Sequence, residues 1–96
     1  MQFLIELSIR PDADPATVKN ARVGSSKVLW ELYVGGMVRS MYSRGDNKGI
    51  VLLIEAPDAA TAGTALAKIP LIQAGQITGA VTELRPFPDI ALAFAA

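Results

Sequence analysis

Residues Ile69–Pro88 read IPLIQAGQITGAVTELRPFP, and this stretch decides how the chain folds. Its pattern predicts the end of a helix, a turn fixed by Pro70, and one long strand that stops at Pro86 and Pro88. We expect this strand to complete a sheet, because it follows the last helical segment of the chain.

The residues before this stretch predict three strands and two helices. In chain order these are strand 2–9, helix 15–34, strand 37–43, strand 49–55 and a helix from Asp58 to Pro70. Asp14 directly before Pro15 is a typical helix start, and the pair Gly35 and Gly36 is a typical stop. The polar turn 44–49 joins the middle strands and contains the letters RGD, which indicate hairpin chemistry here.

The run Ile50–Ile54 is apolar at every position and therefore predicts a strand that is covered on both faces. The order β-α-β-β-α-β in a small domain is typical of an α+β, ferredoxin-like antiparallel sheet with two helices on one face. The other face then needs a cover, and we expect a second copy of the chain to supply it in a two-fold dimer. We expect a single domain, 1–96, whose apolar tail 88–96 packs on that partner.

Composition excludes several kinds of chemistry. The chain has no Cys and no His, so thiolate nucleophiles, Cys-ligated metals and imidazole proton transfer are absent. Nine basic and nine acidic residues are scattered singly, which argues against nucleic-acid and anionic-membrane partners. No acidic loop resembles a calcium site and no apolar run has the length of a membrane span. With no basic leader at its start, the chain is expected to be cytoplasmic. We expect no metal site.

The first helix has an unusual centre, because Gly24, Ser25 and Ser26 are weak helix formers. Two interpretations are open: the helix tolerates an irregularity there, or small side chains leave room for a ligand cavity beneath it.

Several segments together resemble the muconolactone isomerase family of the dimeric α/β-barrel superfamily, over nearly the whole chain. The matching segments are the start 1–7, Gly36 with Arg39 three residues on, the segment 54–58 (IEAPD), the segment 69–72 (IPLI), the segment 73–75 (QAG) and the segment 84–88 (LRPFP). The resemblance implies a ferredoxin-like sheet that pairs with a second copy into a dimeric α/β barrel. These matches are scaffold motifs.

The resemblance also implies a reaction class, in which a proton leaves one carbon of a lactone and returns to another without a cofactor. This chain departs from the family at the polar positions. The acidic residues of the first helix fall on Ser25 and Lys27. The tryptophans of the second strand fall on Val38 and Tyr42, and its His and second Arg fall on Ser40 and Ser43. The scaffold is kept and much of the site is changed.

Glu6 and Arg39 are the candidate catalytic pair. Glu6 lies within the first strand, where partial burial would make its carboxyl a usable acid or base, and Arg39 would hold an oxyanion. The alternative for Glu6 is a structural ion pair with Arg39 or with a basic residue of the partner. Strand parity does not place the two side chains on one face.

The candidate pocket lies between the first helix and the sheet, and its predicted lining is Ser25, Trp30, Tyr33, Ser40 and Tyr42. For the aromatic pair the alternative is an interface or the rim of the core, and for the strand residues it is an ordinary exposed surface. The first functional hypothesis is a cofactor-free isomerase or cyclase acting by acid–base catalysis on a hydrophobic lactone, enol or polyketide-like substrate. A cofactor-independent monooxygenase of aromatic or quinol compounds and a non-catalytic binding or assembly protein are the alternatives.

Overall fold

The computed structural model describes residues 1–95. Its elements follow one another as strand, helix, two strands, two helices, strand and a final 3₁₀ segment. They are β1 (Gln2–Ile9), α1 (Pro15–Val34), β2 (Val38–Ser43), β3 (Gly49–Glu55), α2 (Ala59–Leu66), α3 (Pro70–Gln73), β4 (Ile77–Leu84) and the 3₁₀ segment Pro88–Phe94. The predicted α+β fold class is confirmed.

The four strands form one antiparallel sheet in the order β2-β3-β1-β4. All eight residues of β4 pair with β1, from Gln2 opposite Leu84 to Ile9 opposite Ile77. The stretch 69–88 thus completes the sheet as an edge strand, as its pattern predicts. This strand order is that of a ferredoxin-like sheet.

A side-chain carboxylate caps the N-terminus of each of the two longer helices. The Asp14 carboxylate accepts hydrogen bonds from the hydroxyl of Thr17 at 2.6 Å and from its N–H at 3.1 Å. Asp58 accepts one from the N–H of Thr61 at 2.7 Å. These bonds satisfy donors that the first helical turn leaves free, and they stabilise the charged carboxylates.

The core lies between the helices and one face of the sheet. Phe3, Ile5, Leu52 and Ile54 point to this face and are 0 to 2% exposed. Buried residues of the second half of the chain cover them, namely Ala62, Leu66 and Ile69. Helical residues therefore pack on a single face of the sheet.

The last predicted helix is divided in two. α2 ends at Leu66, and Pro70 begins the separate short helix α3. Pro70 has no N–H to continue an earlier helix, but its fixed φ suits a first helical position. The predicted turn at Pro70 is therefore one turn of helix.

A β-bulge at Arg39 changes the predicted faces of β2. Val38 lies opposite Ile54, yet Ser40 lies opposite Leu53, so Arg39 is an extra residue in the strand. Val38 consequently joins the core at 1% exposure. Simple alternation along the predicted strand 37–43 puts Val38 on the same face as Ser40, and the bulge makes that expectation wrong.

The opposite face of the sheet carries no helix. Its central side chains include Leu4, Val51 and Leu53, which are half-buried, and we call it the open face. Residues 85–95, which we call the C-terminal arm, are all exposed. Within residues 1–95, every helix is too short or too polar to reach from one side of a membrane to the other.

Candidate functional site

The small residues at the centre of α1 allow α3 to approach closely. A Cβ on Gly24 would lie 3.2 Å from Cγ of Pro70, which is a tight contact. Beside it, the buried Ser25 hydroxyl donates to the carbonyl of Ala21 at 2.7 Å and accepts from the N–H of Leu71 at 3.1 Å. Ser25 therefore satisfies one of the free donors at the start of α3, which has no capping side chain of its own.

A half-enclosed cleft lies between α1, α3 and the sheet, with a volume of about 590 Å³. We call it the α1 cleft. It occupies the end of the sheet where β1 stops and β4 starts. Nine aliphatic side chains line it: Leu7, Ile9, Val18, Leu29, Ile50, Ile69, Leu71, Ile72 and Ile77. Its size falls within the range of small-molecule sites, which are mostly apolar clefts of roughly 300–1,000 Å³.

Few polar side chains line the α1 cleft. Arg22, Ser25 and Ser26 belong to α1, and Ser43 and Asn47 belong to the end of β2 and the turn after it. Asn47 has a left-handed backbone, with φ of 59°, which Asn tolerates better than most residues. Among residues 1–95, no carboxylate lines the cleft. The cleft can hold an apolar molecule and offer it one positive charge, but its wall supplies no carboxylate that could act as a base.

The structure does not bring the predicted site residues together. Glu6 lies opposite Val51 and Ala80, and Val51 lies opposite Tyr42, so Glu6 and Tyr42 belong to one row across the open face. Ser40 lies on the same face, one row along. Of the seven predicted site residues, only Ser25 lines the α1 cleft. The expected common pocket is therefore not formed by one chain over residues 1–95.

Arg39 lies at the bulge of β2, where its side chain is exposed. One strand, β3, lies between β2 and β1, which carries Glu6. Within residues 1–95, Glu6 and Arg39 form no ion pair with each other. The catalytic roles given to them stay predictions. A joint role would require the two side chains to reach each other across β3, or another copy of the chain to supply one of them.

Trp30 and Tyr33 stack on each other on the outer side of α1. Their ring centroids are 5.6 Å apart with an angle of 26° between the planes, and the side chains are 60% and 44% exposed. Trp30 borders an open depression on α1, which shares Arg22 and Ser26 with the α1 cleft. This position agrees with an interface or rim more closely than with a wall of the α1 cleft.

The predicted lining did not include four polar residues of the cleft, namely Arg22, Ser26, Ser43 and Asn47. A signal was present for the first two, because residues four apart on a helix share a face and the weak helical centre already marked that face. No signal was present for Asn47, since turn residues of this type are ordinary in hairpins. Ser43, at the end of β2, falls at a polar position of the resembled family, which was a signal. The cleft does lie beneath Ser25 and Ser26, where the sequence left a cavity open as one of two interpretations.

Comparison with known proteins finds relatives by structure alone. No protein-family model matches the chain, and no curated protein matches it by sequence. Muconolactone isomerase superimposes with a TM-score of 0.76 and 18% identity, over 92% of each chain. A second match is the 5-chloro-2-hydroxyhydroquinone dehydrochlorinase of Burkholderia phenoliruptrix AC1100, in complex with 2,5-dihydroxybenzoquinone. Its TM-score is 0.73 at 18% identity, over 88% of this chain and 94% of that one.

These matches define the class of protein to which the chain belongs by fold. It is a small α+β protein with a ferredoxin-like sheet, and its fold is that of muconolactone isomerase. The resemblance drawn from the segments 1–7, 69–72 and 84–88 is confirmed at the level of the fold. At 18% identity the structural similarity establishes the fold alone, and any chemistry has to be argued from the site.

Proposed function

We propose that the protein is a small cofactor-free enzyme, of the isomerase or cyclase type, that acts on a hydrophobic lactone, enol or polyketide-like molecule in the α1 cleft. The observation that carries the proposal is the cleft itself, half enclosed, about 590 Å³ in volume and aliphatic on most of its wall. Two enzymes that share the fold are named for small oxygen-rich compounds, a muconolactone and a chlorinated hydroxyhydroquinone.

The proposed reaction moves a proton between two carbons of the bound molecule. A base removes a proton from a carbon next to a carbonyl, the electron pair moves onto the carbonyl oxygen, and a proton returns to a second carbon. Charge on that oxygen is best stabilised by donors already in place, and Arg22 and Ser26 supply N–H and O–H groups at the cleft wall. Because no carboxylate of residues 1–95 lines the cleft, the base is a bound water or a group of another copy.

A two-fold dimer is part of this proposal. The open face carries half-buried Leu4, Val51 and Leu53 with no cover from the same chain. Phe87, Ile90, Leu92 and Phe94 of the C-terminal arm are 59 to 85% exposed. The radius of gyration is 15.6 Å, whereas a compact chain of this length has roughly 12.5 Å. A second copy that covers both surfaces accounts for this extended form. A cytoplasmic location stays a prediction of the sequence.

A non-catalytic small-molecule-binding protein is the second candidate. The lack of a carboxylate on the cleft wall favours it, since proton transfer needs a base within hydrogen-bond reach. In this case the cleft binds its ligand and releases it unchanged.

Hydrogen–deuterium exchange at carbon separates the two candidates. α-Angelica lactone and a panel of cyclic enols are incubated with the protein in D₂O, and NMR follows deuterium entering the carbons next to the carbonyl. The enzyme hypothesis predicts exchange above the buffer rate, lost in Ser43→Trp, which fills the cleft from its exposed edge. Binding of the panel without exchange supports the second candidate. Oxygen uptake with a hydroquinone, recorded in parallel, would point instead to the monooxygenase.

A further inference from the structure

The outward side of α1 carries apolar side chains where an exposed helix usually carries polar ones. Val23, Trp30 and Val34 are 67%, 60% and 67% exposed. Together with Lys27 they follow one another at intervals of four, three and four residues, so they share one side of the helix. Leu32, on the opposite side, packs against the core. We call Val23, Lys27, Trp30 and Val34 the outer stripe.

The proposed dimer through the open face leaves the outer stripe uncovered, because α1 lies on the other face of the sheet. Tyr33 stacks on one face of the Trp30 ring, with 5.6 Å between the ring centroids. Lys27 and Glu31 are exposed, and within residues 1–95 neither forms an ion pair. The stripe and the carboxylate beside it are therefore available to another molecule.

The outer stripe is complementary to itself when a second α1 helix runs antiparallel to the first. With a two-fold axis between residues 28 and 29, Val23 meets the partner's Val34, and Lys27 meets the partner's Trp30. The second contact places an ammonium group beside an indole ring, which attracts it. Glu31, the single acidic residue of α1, then lies close to the partner's Lys27. One register thus matches both the apolar groups and the charges, and the two-fold axis repeats every contact.

We propose that α1 is a docking surface for α1 of a second copy, through antiparallel pairing of the outer stripes. The inference goes beyond the proposed function and is independent of the chemistry of the α1 cleft. The stripe offers roughly 400 Å² per copy, about half of what each partner buries in a standard stable interface. The contact is therefore weak. It joins dimers into larger assemblies at protein concentrations above those at which the dimer forms.

The chain has no cysteine, so disulfide formation tests the register of the pair. Val23→Cys and Val34→Cys proteins are prepared separately and mixed in a glutathione redox buffer, in which well-placed disulfides persist. We expect a disulfide between the two variants, because antiparallel pairing places these positions opposite each other. Each variant alone should form none, since like positions lie about 16 Å apart along the helix axis and a disulfide spans at most about 7 Å between Cα atoms. Val23→Cys mixed with Ala60→Cys, which is exposed on α2, is the control.

Trp30 is the only tryptophan of the chain, so its fluorescence reports on the outer stripe. We expect its emission to move to shorter wavelength as protein concentration rises, together with a sedimentation coefficient above that of the dimer. Trp30→Ala should raise the dissociation constant of this second step at least about ten-fold, and Lys27→Gln should raise it in the same direction. Lys68→Gln removes an exposed cation outside α1 and should leave it unaltered.

Leu53→Glu separates failure of this inference from failure of the proposed dimer. The substitution acts on the open face, so it should leave the disulfide between the Val23→Cys and Val34→Cys proteins intact. A mixed disulfide no more abundant than in the control, or a second step unaffected by Trp30→Ala, would overturn the inference.

Truncation after Pro86 tests a different occupant of the outer stripe. If the truncation abolishes the shift in Trp30 emission and the mixed disulfide is absent, the C-terminal arm of another copy covers the stripe and the inference is rejected. A shift and a mixed disulfide that both survive truncation support pairing of α1 with α1. Thermal unfolding of each variant confirms that the chain is folded.

Discussion

The hydroxyl of Ser25 on α1 accepts a hydrogen bond from the N–H of Leu71 on α3, across a chain separation of 46 residues, at 3.1 Å. The same hydroxyl donates to the carbonyl of Ala21. It thus ties together two helices that form neighbouring walls of the α1 cleft. Ser25, which the sequence analysis placed in a pocket, therefore also holds α1 and α3 together.

Replacing Ser25 with Ala is expected to destabilise the fold by about 1–3 kcal/mol, because the N–H of Leu71 is left without its partner in a poorly hydrated place. Urea unfolding followed by circular dichroism measures the change. Ser26→Ala is the control, since Ser26 is exposed and bonds no other residue within 1–95; its effect should stay within about 0.5 kcal/mol. Equal stability of the two variants would show that the Ser25–Leu71 bond contributes little.

The acidic helix caps make stability depend on pH. Hydrogen bonds from Thr17 lower the pKa of Asp14, and hydrogen bonds from Thr61 lower the pKa of Asp58. A carboxyl with a lower pKa in the folded state stabilises the fold above its unfolded pKa, near 3.9, and that contribution is lost as pH falls through the folded pKa. We expect the free energy of unfolding to decrease as pH drops below about 5.

The double variant Asp14→Asn, Asp58→Asn tests the source of that decrease. Asn caps a helix about as well as Asp but does not titrate, so the variant should fold at neutral pH and lose less stability in acid. Thermal unfolding between neutral and acidic pH measures the slope. Because hydrogen bonds from Arg10 and from the N–H of Lys48 also lower the pKa of Asp12 and Asp46, part of the slope should remain. An unaltered slope would contradict the assignment to the caps.

The dimer proposal predicts that two separate changes weaken self-association. Leu53→Glu places a charge in the middle of the open face, and truncation after Pro86 removes Phe87 and the rest of the arm. Sedimentation velocity over a range of concentrations should show a dimer for the parent and a dissociation constant raised at least about ten-fold for either variant. Ala60→Glu, on the exposed side of α2, is the control. A parent that sediments as a monomer at every concentration would refute the proposal.

Glu6→Gln decides between the two interpretations of that carboxylate. If Glu6 is structural at a dimer interface, the substitution changes self-association and leaves deuterium exchange at carbon unaltered. If Glu6 acts as an acid or base, exchange falls by about 10²–10⁴-fold with self-association retained. Arg39→Ala is measured beside it, and turnover equal to the parent in both variants would remove the pair from the chemistry. The place of Glu6 on the open face, opposite the helices, favours the structural interpretation.

The fold could be predicted from the sequence because the residues that start and stop helices agreed with the pattern of apolar residues along the chain. Asp14 and Asp58 marked helix starts, Pro70 marked the end of the last predicted helix, and the apolar run 50–54 marked a strand. The site could not be predicted in the same way. One bulge at Arg39 shifted Val38 to the core face, and parity alone could not report which face of the sheet would carry Glu6. The sequence analysis placed Trp30 in a pocket wall, with an interface or core rim as the alternative, and its side chain is 60% exposed on α1.

Methyl NMR of the parent protein with ionised 2-hydroxy-1,4-naphthoquinone tests most directly the claim that the α1 cleft is the functional site. Assigned methyl groups of Leu7, Leu29, Ile50 and Ile72 line the cleft, and those of Leu53 and Leu92 belong to the open face and the arm. The account predicts saturable shifts and ligand contacts in the first group, lost in Ser43→Trp. Shifts confined to the second group, or no saturable shift in the first, would contradict it.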